Sequence, residues 1–321
     1  MLALGLDTSC YTTSAALCAL GQEPRQERRL LPVAAGERGL RQSEAVFAHV
    51  RQLSQVLPRL LEKEHPPVSC VCASASPRDG EDSYMPVFQV GVSQGRNIAA
   101  ALDVPFFTTT HQRGHIAAAK YGTGLKAERF IALHLSGGTT DALLLDGETI
   151  SPLGTSVDLH AGQLVDRIGV ALGLPFPCGP YLEELAVQGQ CENRVPVSFE
   201  KDGLRCHLSG AEAQLLRMIT AGEPKENVAA EVYGVLCRTV HRLLLSASEA
   251  AGVKDLLVAG GVASSALLRK LLLERNEKRR TGLHFYFGRP EFSGDNAVGV
   301  ALIGLEQYQK TLNRSADGKE I

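Results

Sequence analysis

Along the chain, apolar runs and small polar turns recur in a pattern that predicts two similar hairpins. Residues 2–6 are apolar with strand character, residues 7–14 form a small, hydroxyl-rich turn, and residues 15–20 resume the apolar run. The design returns where Ile131-Ala132-Leu133-His134-Leu135 leads through Ser136-Gly137-Gly138-Thr139-Thr140-Asp141 into Ala142-Leu143-Leu144-Leu145. Two such units suggest a duplicated domain, each copy presenting a turn of small donors of the kind found around phosphates. For either hairpin alone, chance similarity is the competing reading.

Helical spacing marks the segments between and after them. Residues 43–62 carry Val46, Val50, Leu53, Leu57, Leu60 and Leu61, and the segment ends before His65-Pro66-Pro67. Residues 89–102, 162–172, 228–251, 264–277 and 296–312 have comparable stripes. Strands interleaved with such helices predict an α/β architecture with partly parallel sheets. Leu256 to Val262 reads as a buried strand and a Gly-Gly turn, with a helix starting near Ser264. The weakly charged linker Tyr121-Gly122-Thr123-Gly124 divides a lobe of residues 1–123 from one of residues 124–321, and the last helix could fold back on the first lobe. A ligand is expected in the cleft between two such lobes. Residues 313–321 are polar and are expected to fray.

Length and composition add bounds. A chain of 321 residues exceeds the size at which one core usually keeps growing. The 33 basic and 35 acidic residues leave a net charge of −2, so no global field draws the protein to nucleic acid or anionic lipid, although a local basic patch is compatible with that balance. Eight cysteines, at positions 10, 18, 70, 72, 178, 191, 206 and 237, form neither a CxxC pair nor a disulfide framework. With no basic leader and no membrane-length apolar run, they predict a reduced, cytoplasmic setting.

Three constellations carry candidate chemistry. His111-Gln112-Arg113-Gly114-His115 places two imidazoles four residues apart, on one side if the segment is helical. Asp295, in the turn before the last apolar helix, is the best third ligand, and two histidines with one carboxylate suit ferrous iron or catalytic zinc with open positions. Because Asp295 follows the second lobe, the metal is expected at the cleft. By spacing alone, two solvated histidines are the competing reading. Gly260-Gly261 would let a nucleotide approach the backbone before a helix N-terminus. Asp166 lies on the polar side of a helix whose apolar side is Leu164, Ile168, Ala171 and Leu172, ahead of the rigid Gly173–Pro180 loop. It reads equally as a polyol-binding carboxylate or as a solvated partner of Arg167 or Arg238.

Together these blocks resemble a family. LGLDTSC, HQRGH, HLSGG, AGQLVDRIGVALGLPFPCGP, HLSGA, LLVAGGVASSALLR and PEFSGDNAVGVA follow one another as in the tRNA threonylcarbamoyladenosine synthase catalytic subunit, or glycoprotease, family of the actin-like ATPase superfamily. The resemblance implies two ribonuclease-H-like lobes with an intervening nucleotide cleft. It implies a transferase that moves threonylcarbamoyl from threonylcarbamoyl adenylate to an adenosine of tRNA beside the anticodon. It assigns His111, His115 and Asp295 to one divalent metal, Fe2+ or Zn2+. His134, Leu135, Ser136, Gly137 and Gly138 fall at the phosphates of the adenine nucleotide, Asp166 and Gly179 at its sugar, and Gly260, Gly261 and Ser265 at its adenosine. Implied partners are tRNA, proteins of a synthase complex and a homo- or heterodimeric mate, with no membrane.

The chain departs from the family pattern near the chemistry. Tyr11-Thr12 stands where Asp-Glu is expected, Thr139 where histidine is, Arg113 where glutamate is, and Ser265 where asparagine is. The charged segment 77–86 replaces a Gly-Pro-Gly turn. Ligands retained while neighbouring acids are lost point to a divergent paralogue, in which another carbamoyl acceptor or a non-catalytic partner role becomes the alternative.

Overall fold

The computed structural model describes residues 1–9, 11–32, 40–80 and 83–316. Cys10, Glu81 and Asp82 of the charged loop, and the tail beyond residue 316, lie outside the described residues. By contact density the chain divides into one unit of Met1–Tyr121 with Gly294–Ile321 and another of Gly122–Ser293.

The first unit carries strands β1 (Leu2–Ser9), β2 (Thr12–Ala19), β3 (Arg25–Leu30), β4 (Cys70–Ser76) and β5 (Phe106–Thr110) in the order β3-β2-β1-β4-β5. The first three form an antiparallel meander, and β1, β4 and β5 run parallel. Its helices are α1 (Gln42–Leu61), α2 (Phe88–Leu102) and α3 (His111–Lys120), together with α9 (Val298–Ala316) from the chain's far end. In β1 every residue is buried, which is why residues 2–6 read as a continuous apolar run and not as an alternating one, while Asp7, Thr8 and Ser9, expected in the turn, continue the strand paired to Ser14, Thr13 and Thr12. Helix α1 buries Ala45, His49, Gln52, Leu53, Val56 and Leu60, whereas Val50, expected in the apolar stripe, is exposed. His49 can turn inward because its Nδ1 meets the Thr13 hydroxyl at 2.8 Å.

The second unit contains β6 (Arg129–Leu135), β7 (Thr140–Asp146), β8 (Thr149–Ser156), α4 (Ala161–Ala171), α5 (Gly179–Gln188), β9 (Ser198–Phe199), β10 (Arg205–His207), α6 (Ser209–Thr220), α7 (Lys225–Ala251), β11 (Asp255–Ala259), α8 (Ala266–Arg279) and β12 (His284–Phe287). Its sheet runs β12-β11-β6-β7-β8-β10-β9. The stretch β8-β7-β6-β11-β12 repeats the first unit's order, a three-stranded antiparallel meander followed by two parallel strands, as the paired hairpins predict. Helix α7 is buried on nearly all sides of its first five turns and forms the spine of this unit's core. Ala171, expected on the apolar side of α4, is exposed, and Gly179-Pro180, expected as loop, opens α5, where proline suits the first turn. Among the described residues no helix is long and apolar enough to cross a membrane.

The return of residues 294–316 to the first unit has a local cause. Helix α9 packs on β1, β4 and α3 at glycine contacts that leave no room for a side chain. A Cβ on Gly5 would stand 2.5 Å from the Ala301 nitrogen, and one on Gly299 would stand 1.8 Å from the Gly114 carbonyl oxygen. Helix α9 also extends to Ala316, past the point where fraying was expected, since Leu305 and the residues before it anchor its first half in the core.

Gly299→Ala should therefore force α9 and α3 apart. We expect a loss of about 2–3 kcal/mol, the usual scale of overpacking, read as a lower thermal midpoint. A midpoint within one degree of wild type would mean that this contact does not hold the helix.

Candidate metal centre and nucleoside cavity

His111 and His115 share one face because β5 ends in threonines and α3 starts immediately afterwards. Thr110 stays extended as N-cap, and its hydroxyl accepts from the Arg113 N–H at 3.3 Å. One turn separates the two imidazoles, whose Nε2 atoms lie 3.0 Å apart with the rings edge to face. The turn ahead of α9 brings Asp295 Oδ1 to 3.6 Å from His111 Nε2 and 3.3 Å from His115 Nε2. All three residues belong to the first unit. The expectation of a metal held jointly by two lobes is thereby replaced by a set complete within one, because α9 is pinned there.

The donor set fits a metal. Three donors at ~2.1 Å from one ion, subtending roughly 90–110°, stand about 3.0–3.4 Å apart; the observed separations of 3.0 and 3.3 Å fall in this range and the third, 3.6 Å, lies just beyond it. Each side chain is partly exposed, at 20%, 16% and 31%, which leaves an open side for a further ligand. Behind the set, His111 Nδ1 meets Asp7 Oδ2 at 2.6 Å, so the buried carboxylate accepts the Nδ1–H hydrogen bond and leaves the Nε2 lone pair facing the other donors.

The electrostatics agree. Burial alone would push the His111 imidazole below its usual range, but Asp7 and then Asp295 outweigh it and raise the group. Burial would likewise lift Asp295, yet the hydrogen bond from His115, the charges of both histidines and the Thr12 hydroxyl hold it down to about 2. In the absence of metal the site thus favours an added proton, the charge that a cation replaces.

The second unit holds a separate cavity of about 360 Å³. Of the residues singled out from sequence, Gly137, Asp166, Gly179, Gly261 and Ser265 line it, while His134, Leu135, Ser136, Gly138 and Gly260 do not. Leu135 is a core side chain, so it can offer a ligand only backbone. Gly260 takes φ +106° and lies against the Leu135 carbonyl, where a Cβ would come within 2.2 Å. Its glycine serves strand packing, and Gly261 is the one that faces the cavity. Gly137 and Gly138 are exposed, with Gly138 N–H on the Ser136 hydroxyl at 3.4 Å. The N-terminus of α4 abuts this turn, with the Gly162 N–H donating to the Ser136 carbonyl at 3.1 Å.

Asp166 pairs with neither arginine proposed for it. Arg167 goes to Glu212, Arg238 goes to Asn193 and the Val195 carbonyl, and Asp166 Oδ1 accepts the Cys178 N–H at 2.9 Å. Glu183 Oε1 likewise accepts the Leu267 N–H at 2.7 Å. Each carboxylate is oriented through one oxygen, and the other has no protein hydrogen bond among the described residues. Ser265 is the N-cap of α8, its hydroxyl accepting from Leu268 N–H at 3.1 Å. Glu183, Tyr233 and Gly162, all lining residues, were missed in the sequence. Glu183 lies one helical turn past Gly179, a spacing that could have flagged it, whereas Tyr233 resembles any core aromatic of α7.

In the metal-free protein, the raised His111 contributes stability that is full below ~6.5 and lost as pH climbs through its folded value. Asp295 contributes stability present above ~3.9 and lost as pH falls toward about 2. The thermal midpoint should decline from pH 6.5 to 8.5, added Zn2+ should raise it more at pH 8 than at pH 6, and His111→Gln should flatten both trends. Parallel pH curves for wild type and variant in a melting series would contradict the assignment.

Comparison with known proteins matches these features. The family model of TsaD, tRNA N6-adenosine threonylcarbamoyltransferase, matches residues 43–302. A protein so named from Methanopyrus kandleri is 28% identical over 87% of this chain and 80% of its own length. Another, from Caldivirga maquilingensis, is 27% identical over 100% of the chain and 94% of its length. Among solved structures, HypF of T. kodakarensis superposes with a TM-score of 0.60 at 16% identity over 97% of this chain, which spans about half (48%) of HypF. A ROK family glucokinase from Streptomyces griseus, solved with glucose and AMPPNP, gives 0.56 at 13% identity over 95% of this chain and 100% of its own. These likenesses show the fold alone, two ribonuclease-H-like lobes of the actin-like class. On the extent of the family match, the chain belongs to the tRNA N6-adenosine threonylcarbamoyltransferase family.

Proposed function

We propose that the protein transfers a threonylcarbamoyl group from threonylcarbamoyl adenylate to the adenosine beside the anticodon of tRNA. One divalent metal, ferrous iron or zinc, would be held by His111, His115 and Asp295. The single observation that carries this reading is the donor triad itself, three ligand atoms 3.0–3.6 Å apart in a member of this family. When bound, such a metal supplies Lewis-acid and templating chemistry to carbonyl and phosphate oxygens.

The chain's own residues suit the rest of the donor. The open oxygens of Asp166 and Glu183 can accept the hydroxyls of a ribose, and the exposed turn at Gly137 and Gly138 suits phosphate. Gly261 and Ser265 form a wall that a base can approach. His134, Leu135, Ser136 and Gly260 are then supports of that wall and turn. We place the protein in the cytoplasm, acting on tRNA with proteins of a synthase complex as a homo- or heterodimer.

A second reading is favoured by two contacts. Thr12, where the family is expected to carry an acid, donates its hydroxyl to Asp295 Oδ2 at 3.2 Å, and Arg113 forks onto Asp79 at 2.6 and 2.9 Å. Neither can act as a general base, so the scaffold would serve another carbamoyl acceptor or act as a nucleotide-binding partner of an authentic synthase.

Purified protein incubated with threonylcarbamoyl adenylate, tRNA and the partner proteins should yield threonylcarbamoyladenosine, falling to background on His115→Ala. Metal and ADP binding without modified nucleoside, beside a working control enzyme, selects the second reading. A protein that binds neither metal nor ADP sinks both.

A further inference from the structure

The two hairpins share a design but differ in what their turns hold. In the second unit the strands close at Leu135 and Thr140, and the intervening turn exposes Gly137 and Gly138. In the first they close at Ser9 and Thr12. Two residues before the closing pair, the second unit has Leu133, a fully buried core side chain, whereas the first has Asp7, 1% exposed. A buried carboxylate in a strand must be fully hydrogen-bonded to be tolerated. Asp7 Oδ1 accepts the Ser9 N–H and the Ser74 hydroxyl, both at 2.9 Å, and Oδ2 takes His111 Nδ1 at 2.6 Å. At the other arm of the same hairpin the Thr12 hydroxyl, also buried, donates to Asp295 Oδ2 at 3.2 Å and leaves Oδ1 facing the two histidines.

We infer that the β1–β2 hairpin is the outer hydrogen-bonding frame of the metal centre, with Asp7 and Thr12 as positioning residues for His111 and Asp295. The inference rests on the metal reading of the triad. It also separates the two copies of the design. A phosphate brought to the first turn would meet the carboxylates of Asp7 and Asp295, while in the second unit it would meet the exposed, uncharged Gly137-Gly138 turn.

The physical role of each contact differs. Asp7 fixes the tautomer and ring plane of His111, so that Nε2 presents its lone pair, and it adds negative charge one bond removed from the ligand. Ser74 and the Ser9 amide fix Asp7 in turn, so strand β4 and the hairpin both set the aim of one imidazole. Thr12 selects which Asp295 oxygen is offered, a steric and hydrogen-bonding choice that leaves the ligand's charge unchanged.

Co2+ binding to the full chain tests this through affinity and visible absorption, with Zn2+ as competitor and ADP binding and the thermal midpoint as controls. Asp7→Asn should weaken Co2+ by about 10–100-fold, the range seen when outer partners of a metal-bound histidine are removed, and should alter the ligand-field bands. Thr12→Val and Ser74→Ala, milder changes that keep the inference testable should Asp7→Asn fold poorly, should each weaken Co2+ by several-fold and leave ADP affinity unchanged. Variants that bind Co2+ with wild-type affinity and spectrum overturn the inference while the metal reading stands. A wild-type protein that binds no Co2+ or Zn2+ overturns the metal reading, and this inference with it.

Discussion

The backbone-to-backbone contact between α9 and α3 is the constraint on which the candidate metal centre depends. Asp295 is 180 residues from His115 in sequence, and a side chain at Gly299 would collide with the Gly114 carbonyl in the helix that carries both histidines. Gly5 and Gly304 repeat the arrangement against β1 and β4, where added Cβ atoms would meet Ala301 and Cys72. Close helix approach without side chains fixes the height of α9 to a fraction of an ångström, and a ligand set needs that tolerance. Packing here positions chemistry directly.

Much of this was legible in sequence, for identifiable reasons. A buried strand segment is mostly apolar, so residues 2–6 of β1 and 130–133 of β6 announced themselves, and a hairpin needs a turn of small residues. The stripes of α1, α2, α4, α7, α8 and α9 were visible to within a few residues at most ends. What escaped were elements whose signal lies in their neighbours. Strand β4, Cys-Val-Cys-Ala-Ser-Ala-Ser, is too small-sided to stand out, and β3 is an arginine-rich edge strand with a polar face. Helix α6 begins at Ser209 and carries buried positions only at Ala211, Leu215 and Met218, a sparse stripe. The cluster of His111, His115 and Asp295 was legible because so few residue types can ligate a metal, and the structure brings the three together. Asp7 was not, because an aspartate ending an apolar strand looks like the first residue of a turn until its buried partners are known.

The cavity of the second unit shows the reverse relation between motif and role. Gly260 and Gly261 are adjacent in sequence and read as one turn, yet one serves the close packing of β11 against β6 and the other lines the cavity. Ser265 holds the first turn of α8, its hydroxyl oxygen accepting from the Leu268 N–H. An asparagine there would have carried a second polar group beyond the cap. The serine therefore preserves the helix start while offering less to a base, and the carboxylates of Asp166 and Glu183 become the strongest polar features of that wall.

Charge at the first unit's site follows from the same particulars. With both histidines neutral, Asp7 and Asp295 together carry two negative charges, which one divalent cation balances. Two further carboxylates at positions 11 and 12 would leave such a site with net negative charge and would compete for the open coordination positions. Tyr11 and Thr12 add no such charge, and Thr12 donates a hydrogen bond to Asp295. A cation in this frame keeps more of its charge for whatever oxygen occupies its open side, since fewer anionic groups screen it. Arg113, flanked by both histidines in sequence, is neutralised by its ion pair with Asp79, and its guanidinium offers no lone pair. Beside His111, His115 and Asp295, neither Thr12 nor Arg113 can serve as a general base, and the Asp79 carboxylate is occupied by Arg113.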